Sequence, residues 1–116
     1  MYTVYGIPNC NTVKKALDWL QLNEVAYEFH DYKKKGITAG KLKGWGKQVG
    51  WENLLNKRGT TWKQLDPAIQ LTITSEEKAI DLMIEKTSII KRPLIEKGEV
   101  VIALGFDEEA YEKAFS

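Results

Sequence analysis

Along the chain, apolar and polar positions change period several times, and each change marks an element. Thr3, Val4 and Tyr5 make a strand-forming run that Gly6, Ile7 and Pro8 punctuate. From Asn11 to Leu22, the residues Val13, Ala16, Leu17 and Leu20 recur at i, i+3, i+4 and i+7, which predicts an amphipathic helix closed at Asn23. Val25, Tyr27 and Phe29 then alternate with Ala26, Glu28 and His30, predicting a second strand over residues 25–31. A strand–helix–strand connection of this length predicts a parallel pair with a right-handed crossover.

The middle third is helical in pattern. Lys33-Lys34-Lys35-Gly36 reads as a charged turn, after which Thr38 caps a helix carrying Leu42, Trp45 and Val49 on one side, with Gly40, Gly44 and Gly46 opposing it. Helical signals continue over residues 51–55 and at Asp66-Pro67, an N-cap followed by proline at the first helical position. Thr74 with Glu77 reads as a capping box opening a helix over about residues 75–86 that buries Ala79, Ile80, Met83 and Ile84. Strands over residues 94–96 and 100–103 around Lys97-Gly98-Glu99 predict a hairpin, Gly105 ends it, and Asp107 caps a last helix with Ala110, Tyr111 and Ala114 inward. The expected fold is α/β: a βαβ half plus a β-hairpin and a C-terminal helix on a mixed four-stranded sheet. That is the thioredoxin-like arrangement, expected as one domain over residues 1–116 with a helical insertion at approximately 38–86. In it a reactive cysteine begins the first helix and a proline, commonly cis, opens the hairpin strand beside it; Cys10 and Pro93 occupy those places.

Composition narrows the chemistry. The 116 residues, 43% of them apolar, suit one core, and 17 Lys+Arg against 16 Asp+Glu leave a formal charge of +1, unlike a nucleic-acid binder. No apolar run approaches the roughly 20 residues of a membrane span, and the N-terminus opens with a strand pattern rather than a signal segment, so a cytoplasmic protein is expected. One cysteine and one histidine exclude an internal disulfide and oppose a Cys/His metal site, so a redox partner for Cys10 must come from another molecule. A lone cysteine is often a small buried apolar residue, but a thiol at a strand-to-helix turn faces free backbone N–H groups and the positive helix end, which favour thiolate. His30 lies on the polar side of its strand and reads as structural or exposed; Trp19, Trp45, Trp51 and Trp62 read as packing residues.

Four stretches, in order along nearly the whole chain, carry a family resemblance: residues 5–16 (YGIPNCNTVKKA), 29–32 (FHDY), 54–62 (LLNKRGTTW) and 89–94 (IIKRPL). Together they resemble the ArsC family, most of all its YffB branch. The resemblance implies a thiol-dependent reductase with Cys10 as nucleophile, no bound cofactor, and glutathione as co-substrate resolving a mixed disulfide or adduct. It implies glutaredoxin as a possible recycling partner and a small anionic or thiol substrate; the near-neutral charge and the lack of a long apolar run predict no nucleic acid or membrane partner, and a monomer is expected. Substrate or glutathione contacts fall on Asn11, Thr12, Lys14, Arg58, Arg92 and Pro93. The alternative activity is glutaredoxin-coupled arsenate reduction. Against it, Leu104-Gly105-Phe106 offers no counterpart of a third arginine of those reductases, Gly6 stands where they have histidine, and Val13 where they have serine. The other alternative is a non-enzymatic regulator like Spx, which binds RNA polymerase; the second cysteine of the Spx redox switch is Val13 here, so that switch cannot operate.

Overall fold

The computed structural model describes residues 1–115. Strands β1 (Tyr2–Gly6), β2 (Tyr27–Asp31), β3 (Leu94–Lys97) and β4 (Val100–Leu104) form one mixed sheet in the order β2-β1-β3-β4. β1 runs parallel to β2, with Val4 opposite Phe29, and antiparallel to β3, with Val4 opposite Ile95. β3 and β4 form the expected hairpin, turned at Gly98 with φ +64°, and its register shifts between Ile95 and Glu96. This βαβ-plus-hairpin order is thioredoxin-like.

Two compact units make up the described residues: residues 1–35 with 92 onward, and residues 36–91. In the first, helix α1 (Asn11–Leu22) buries Val13, Ala16 and Leu20, the face its periodicity predicts. Ala16 and Leu20 join Val4, Ile95 and Tyr111 in a core on one side of the sheet. The second strand begins at Tyr27, two residues later than its alternation suggests, because Val25 N–H is spent on the Leu20 carbonyl behind the helix end (2.9 Å). Lys33-Lys34-Lys35 is not a turn but most of a short helix, α2 (Tyr32–Lys35), which the Asp31 carboxylate opens by accepting from Lys33 N–H (2.8 Å). The closing helix α8 (Glu108–Ala114) corrects another expectation. Tyr111 is buried, but Ala110 and Ala114 are exposed, and the inward apolar contacts come instead from Phe115, whose ring lies 4.9 Å from Tyr2 and 5.5 Å from Tyr111. A seven-residue helix is too short to present the full stripe that its spacing implies.

The second unit is helical: α3 (Ala39–Val49), α4 (Trp51–Leu54), α5 (Thr60–Lys63), α6 (Pro67–Thr72), α7 (Glu76–Glu85) and a 3₁₀ turn (Thr87–Ile89). Thr38 caps α3, accepting from Lys41 N–H, and the helix forms despite its glycines because Leu42 and Trp45 are buried. α7 is capped by Ser75, which accepts from Lys78 N–H, rather than by Thr74 with Glu77. The one-residue slip matters little to the buried face, except that Leu82 is buried and Ile84 is 41% exposed. Leu55 bridges Ile90, flanked by hydrogen bonds from Asn56 N–H to Ile89 and from Lys91 N–H to Leu54, so the segment after α4 is pinned to the end of the helical stretch.

Candidate active site

Cys10 is the N-cap residue of α1, in an extended conformation (φ −126°, ψ 123°), and Lys14 N–H closes the first helical turn on its carbonyl at 2.9 Å. An N-cap side chain normally accepts from the free N–H groups of the first turn, and a sulfur placed there meets the same donors. No tight capping bond holds the thiol, but the N–H groups of Val13 and Thr12 stand close enough to stabilise its anion. Partial burial alone pushes the Cys10 pKa up. The Val13 N–H, the Arg92 guanidinium, as donor and as charge, and the Thr12 N–H together outweigh burial and bring the pKa below that of an ordinary thiol. No acidic residue sits in the first turn to oppose the thiolate. Cys10 is a free cysteine and half-buried, so the sulfur is both stabilised as an anion and reachable.

Arg92 precedes β3 through a cis peptide bond to Pro93. Pro93 itself is buried, and its carbonyl accepts from Gly105 N–H at 2.8 Å, which ties the start of β3 to the end of β4. Of the residues anticipated around the thiol, Thr12 and Arg92 act on it, Thr12 through its backbone. Asn11, Thr12 and Lys14 have exposed side chains on the first turn. Lys14 is not among the groups that act on the sulfur, and its side chain is exposed. Arg58 is exposed and lies between α4 and α5 of the second unit.

The two departures at residues 6 and 13 form a single packing unit. A Cβ added to Gly6 would stand 2.9 Å from Val13 Cγ2 and 3.5 Å from the Phe29 ring, so the buried valine closes the space a side chain at position 6 would need. Val13 nevertheless supplies the thiolate with its backbone N–H, a contribution independent of its side chain. Among the described residues, no group of three or more His, Cys, Asp or Glu side chains could hold a metal ion.

The first unit also holds a polar cluster that the spacing of residues along the chain does not reveal. Tyr5 Oη donates to Glu96 Oε1 at 2.6 Å, with Tyr5 6% and Glu96 3% exposed. The His30 ring stacks 4.7 Å from Tyr5 and 5.9 Å from Tyr32, so the histidine is a packing residue of this cluster. Among the described residues the buried Tyr32 hydroxyl has no hydrogen-bond partner, and burial drives its pKa far up, with Tyr5 adding to the rise, Arg92 opposing it and Glu96 adding to it. The one clue was a carboxylate in the middle of an otherwise apolar strand, Leu94-Ile95-Glu96.

A thioredoxin-like sheet with a stabilised cysteine at its first helix and a cis-proline strand beside it defines a class of thiol-dependent proteins. The chain belongs to the ArsC family, whose model matches residues 5–114. It is similar to a solved YffB protein, with 44% identity over the whole of both chains and a TM-score of 0.92. An arsenate reductase (ArsC) related protein from Brucella melitensis is 40% identical with a TM-score of 0.78, the match covering 98% of this chain and 93% of that one. The global transcriptional regulator Spx of Streptococcus agalactiae is 30% identical over 94% of this chain and 79% of the regulator. This is an arsenate reductase-like chain with a single cysteine.

Proposed function

We propose that the protein is a glutathione-dependent, single-cysteine thiol oxidoreductase. The observation that carries this reading is the Cys10 thiol, held below its ordinary pKa by the Val13 and Thr12 N–H groups and by Arg92. The Cys10 thiolate attacks one sulfur of a disulfide substrate, forms a mixed disulfide and expels the other sulfur as a thiolate. A glutathione thiolate then attacks the substrate sulfur of that mixed disulfide, and Cys10 leaves as the thiolate that Arg92 and the helix N-terminus stabilise. The chain has one cysteine, so resolution must come from outside, and glutathione, with glutaredoxin to recycle its product, supplies it. Arg92 is the group that orients an anionic partner, since a guanidinium binds a carboxylate through two parallel hydrogen bonds. Arg58 is assigned a second such contact on the family pattern. This chemistry needs a reducing compartment, which places the protein in the cytoplasm.

Incubation with oxidised glutathione followed by intact-mass spectrometry tests the reading. One glutathione per chain is expected, lost in Cys10→Ser and removed by reduced glutathione; a wild-type protein that takes up none refutes it. Arsenate reduction is the second reading, favoured by the likeness to an arsenate reductase related protein. It is opposed by the closed space at Gly6 and the absence of a third arginine near Leu104-Gly105-Phe106. Turnover of arsenate with glutathione and glutaredoxin above the Cys10→Ser background would establish it.

A further inference from the structure

In the second unit, two helices face each other without closing the space between them. Ile69, Thr72 and Ile73 recur at i, i+3 and i+4 along α6 and its C-cap, while Lys78, Asp81, Leu82 and Glu85 recur at i, i+3, i+4 and i+7 along α7. These two stripes line one groove of about 230 Å³. α6 buries none of its residues, although so short a helix ordinarily depends on the burial of an apolar face. Polar bonds hold it instead. The Asp66 carboxylate accepts from Ala68 N–H at 2.9 Å, and the Gln70 side chain donates to the Trp62 carbonyl at 2.8 Å. The Thr72 hydroxyl donates to the Ile69 carbonyl at 2.6 Å, so its donor is already used and the groove wall it belongs to is dominated by isoleucine. Among the described residues, three of the six exposed large apolar side chains, Ile69, Leu71 and Ile84, fall on these two helices, a concentration that marks a contact surface rather than scattered surface apolarity.

Charge and volume decide what that surface takes. Residues 66–86 carry five carboxylates and two lysines, a net −3 in a chain whose net charge is +1. Asp81 and Glu85, both exposed, stand on the groove itself, against Lys78 alone. An acidic rim disfavours nucleic acid and anionic lipid surfaces by repulsion. The volume lies below the roughly 300–1,000 Å³ of small-molecule pockets and suits anchoring side chains. A second copy of this chain is a poor occupant, because a two-fold contact would set Asp81 and Glu85 against their own copies. Nor do Leu22 and Val100, exposed elsewhere, stand among cations: Leu22 shares its surface with Asp18 and Gln21, and Val100 follows Glu99. We propose that the α6–α7 groove is a docking site for a basic amphipathic helix of a partner protein, its apolar side chains seated against Ile69, Ile73 and Leu82 and its lysines or arginines against Asp81 and Glu85. Apolar anchors at i, i+3 or i+4, and i+7 on such a helix match the helical spacing of both walls. The docking site does not depend on the chemistry of Cys10.

Two synthetic amphipathic peptides test this, equal in length and alike in their leucine face, one with lysine and arginine on the other face and one with glutamate. Each is labelled with fluorescein and titrated with the full chain while its anisotropy is followed. The basic peptide is expected to saturate a single site and the acidic one to show no binding. Ile69→Asp, and Asp81→Lys combined with Glu85→Lys, should each weaken the basic peptide about tenfold, while Glu109→Lys combined with Glu112→Lys on α8 should change it by less than about twofold. All five positions are exposed, which favours folding of the variants, and Glu85→Lys alone serves should the Asp81 and Glu85 pair not fold. Equal binding of both peptides, no saturable binding, or an equal loss from the α8 pair overturns the proposal. So does a wild-type dimer in sedimentation that Ile69→Asp dissolves, which would make a second copy the occupant.

Discussion

Replacing Arg92 by methionine keeps an unbranched apolar stem and deletes the guanidinium that lies against the Cys10 thiol. A hydrogen bond to an ionised group contributes about 1.5–3 kcal/mol, and solvent access to a half-exposed sulfur cuts this to roughly 1 kcal/mol. That energy corresponds to a rise in the Cys10 pKa and about a fivefold loss of thiolate at a pH below it. A thiolate of higher pKa is also the better nucleophile, with a Brønsted slope of about 0.45, so each remaining thiolate reacts roughly twofold faster. The two effects predict a crossing. Against a small neutral disulfide, Arg92→Met should react about 2.5-fold more slowly than wild type at a pH below both pKa values and roughly twofold faster above both. Stopped-flow measurement of mixed-disulfide formation across pH reads this directly, and a neutral disulfide leaves out any binding of anionic substrate by Arg92. Stability follows with a definite sign. The folded Cys10 pKa lies below that of an unfolded thiol. Its contribution is therefore full above the unfolded value and is lost as pH falls through the folded value, so the wild type should gain stability across that window and Arg92→Met should gain less. Rate profiles for wild type and variant that run parallel at all pH values would refute the assignment of Arg92 to the thiolate.

Two further outcomes test the local structure. Gly6→Ala should destabilise the protein by about 1–3 kcal/mol in chemical denaturation, because its Cβ meets Val13 Cγ2 at 2.9 Å, and the combined Gly6→Ala, Val13→Ala variant should cost less than the sum of the two changes. Ser75→Ala should cost about 1 kcal/mol and Thr74→Ala close to nothing, since Ser75 is the residue that accepts from Lys78 N–H; the reverse ranking in thermal melts would return the cap to Thr74.

Much of this protein was legible residue by residue. Hydrophobic period alone places α1 from Asn11 to Leu22, and turn residues place the hairpin, because these are local properties of short segments. The sequence also determines that Cys10 stands at a helix start and has no second cysteine to pair with. What it left open were relations across the sheet. Whether Ser75 or Thr74 caps α7, and whether α8 turns its alanines inward, depends on how each helix meets its neighbours, which spacing does not encode. Arg92 is 82 residues from Cys10, and Tyr5 is 91 residues from Glu96, so only the pairing of β1 with β3 brings these groups together. The thiol pKa is decided partly in the same way. The sequence places the cysteine at a helix start, where the first-turn N–H groups reach its sulfur locally, while tertiary structure brings the arginine charge to it, and together these outweigh its burial.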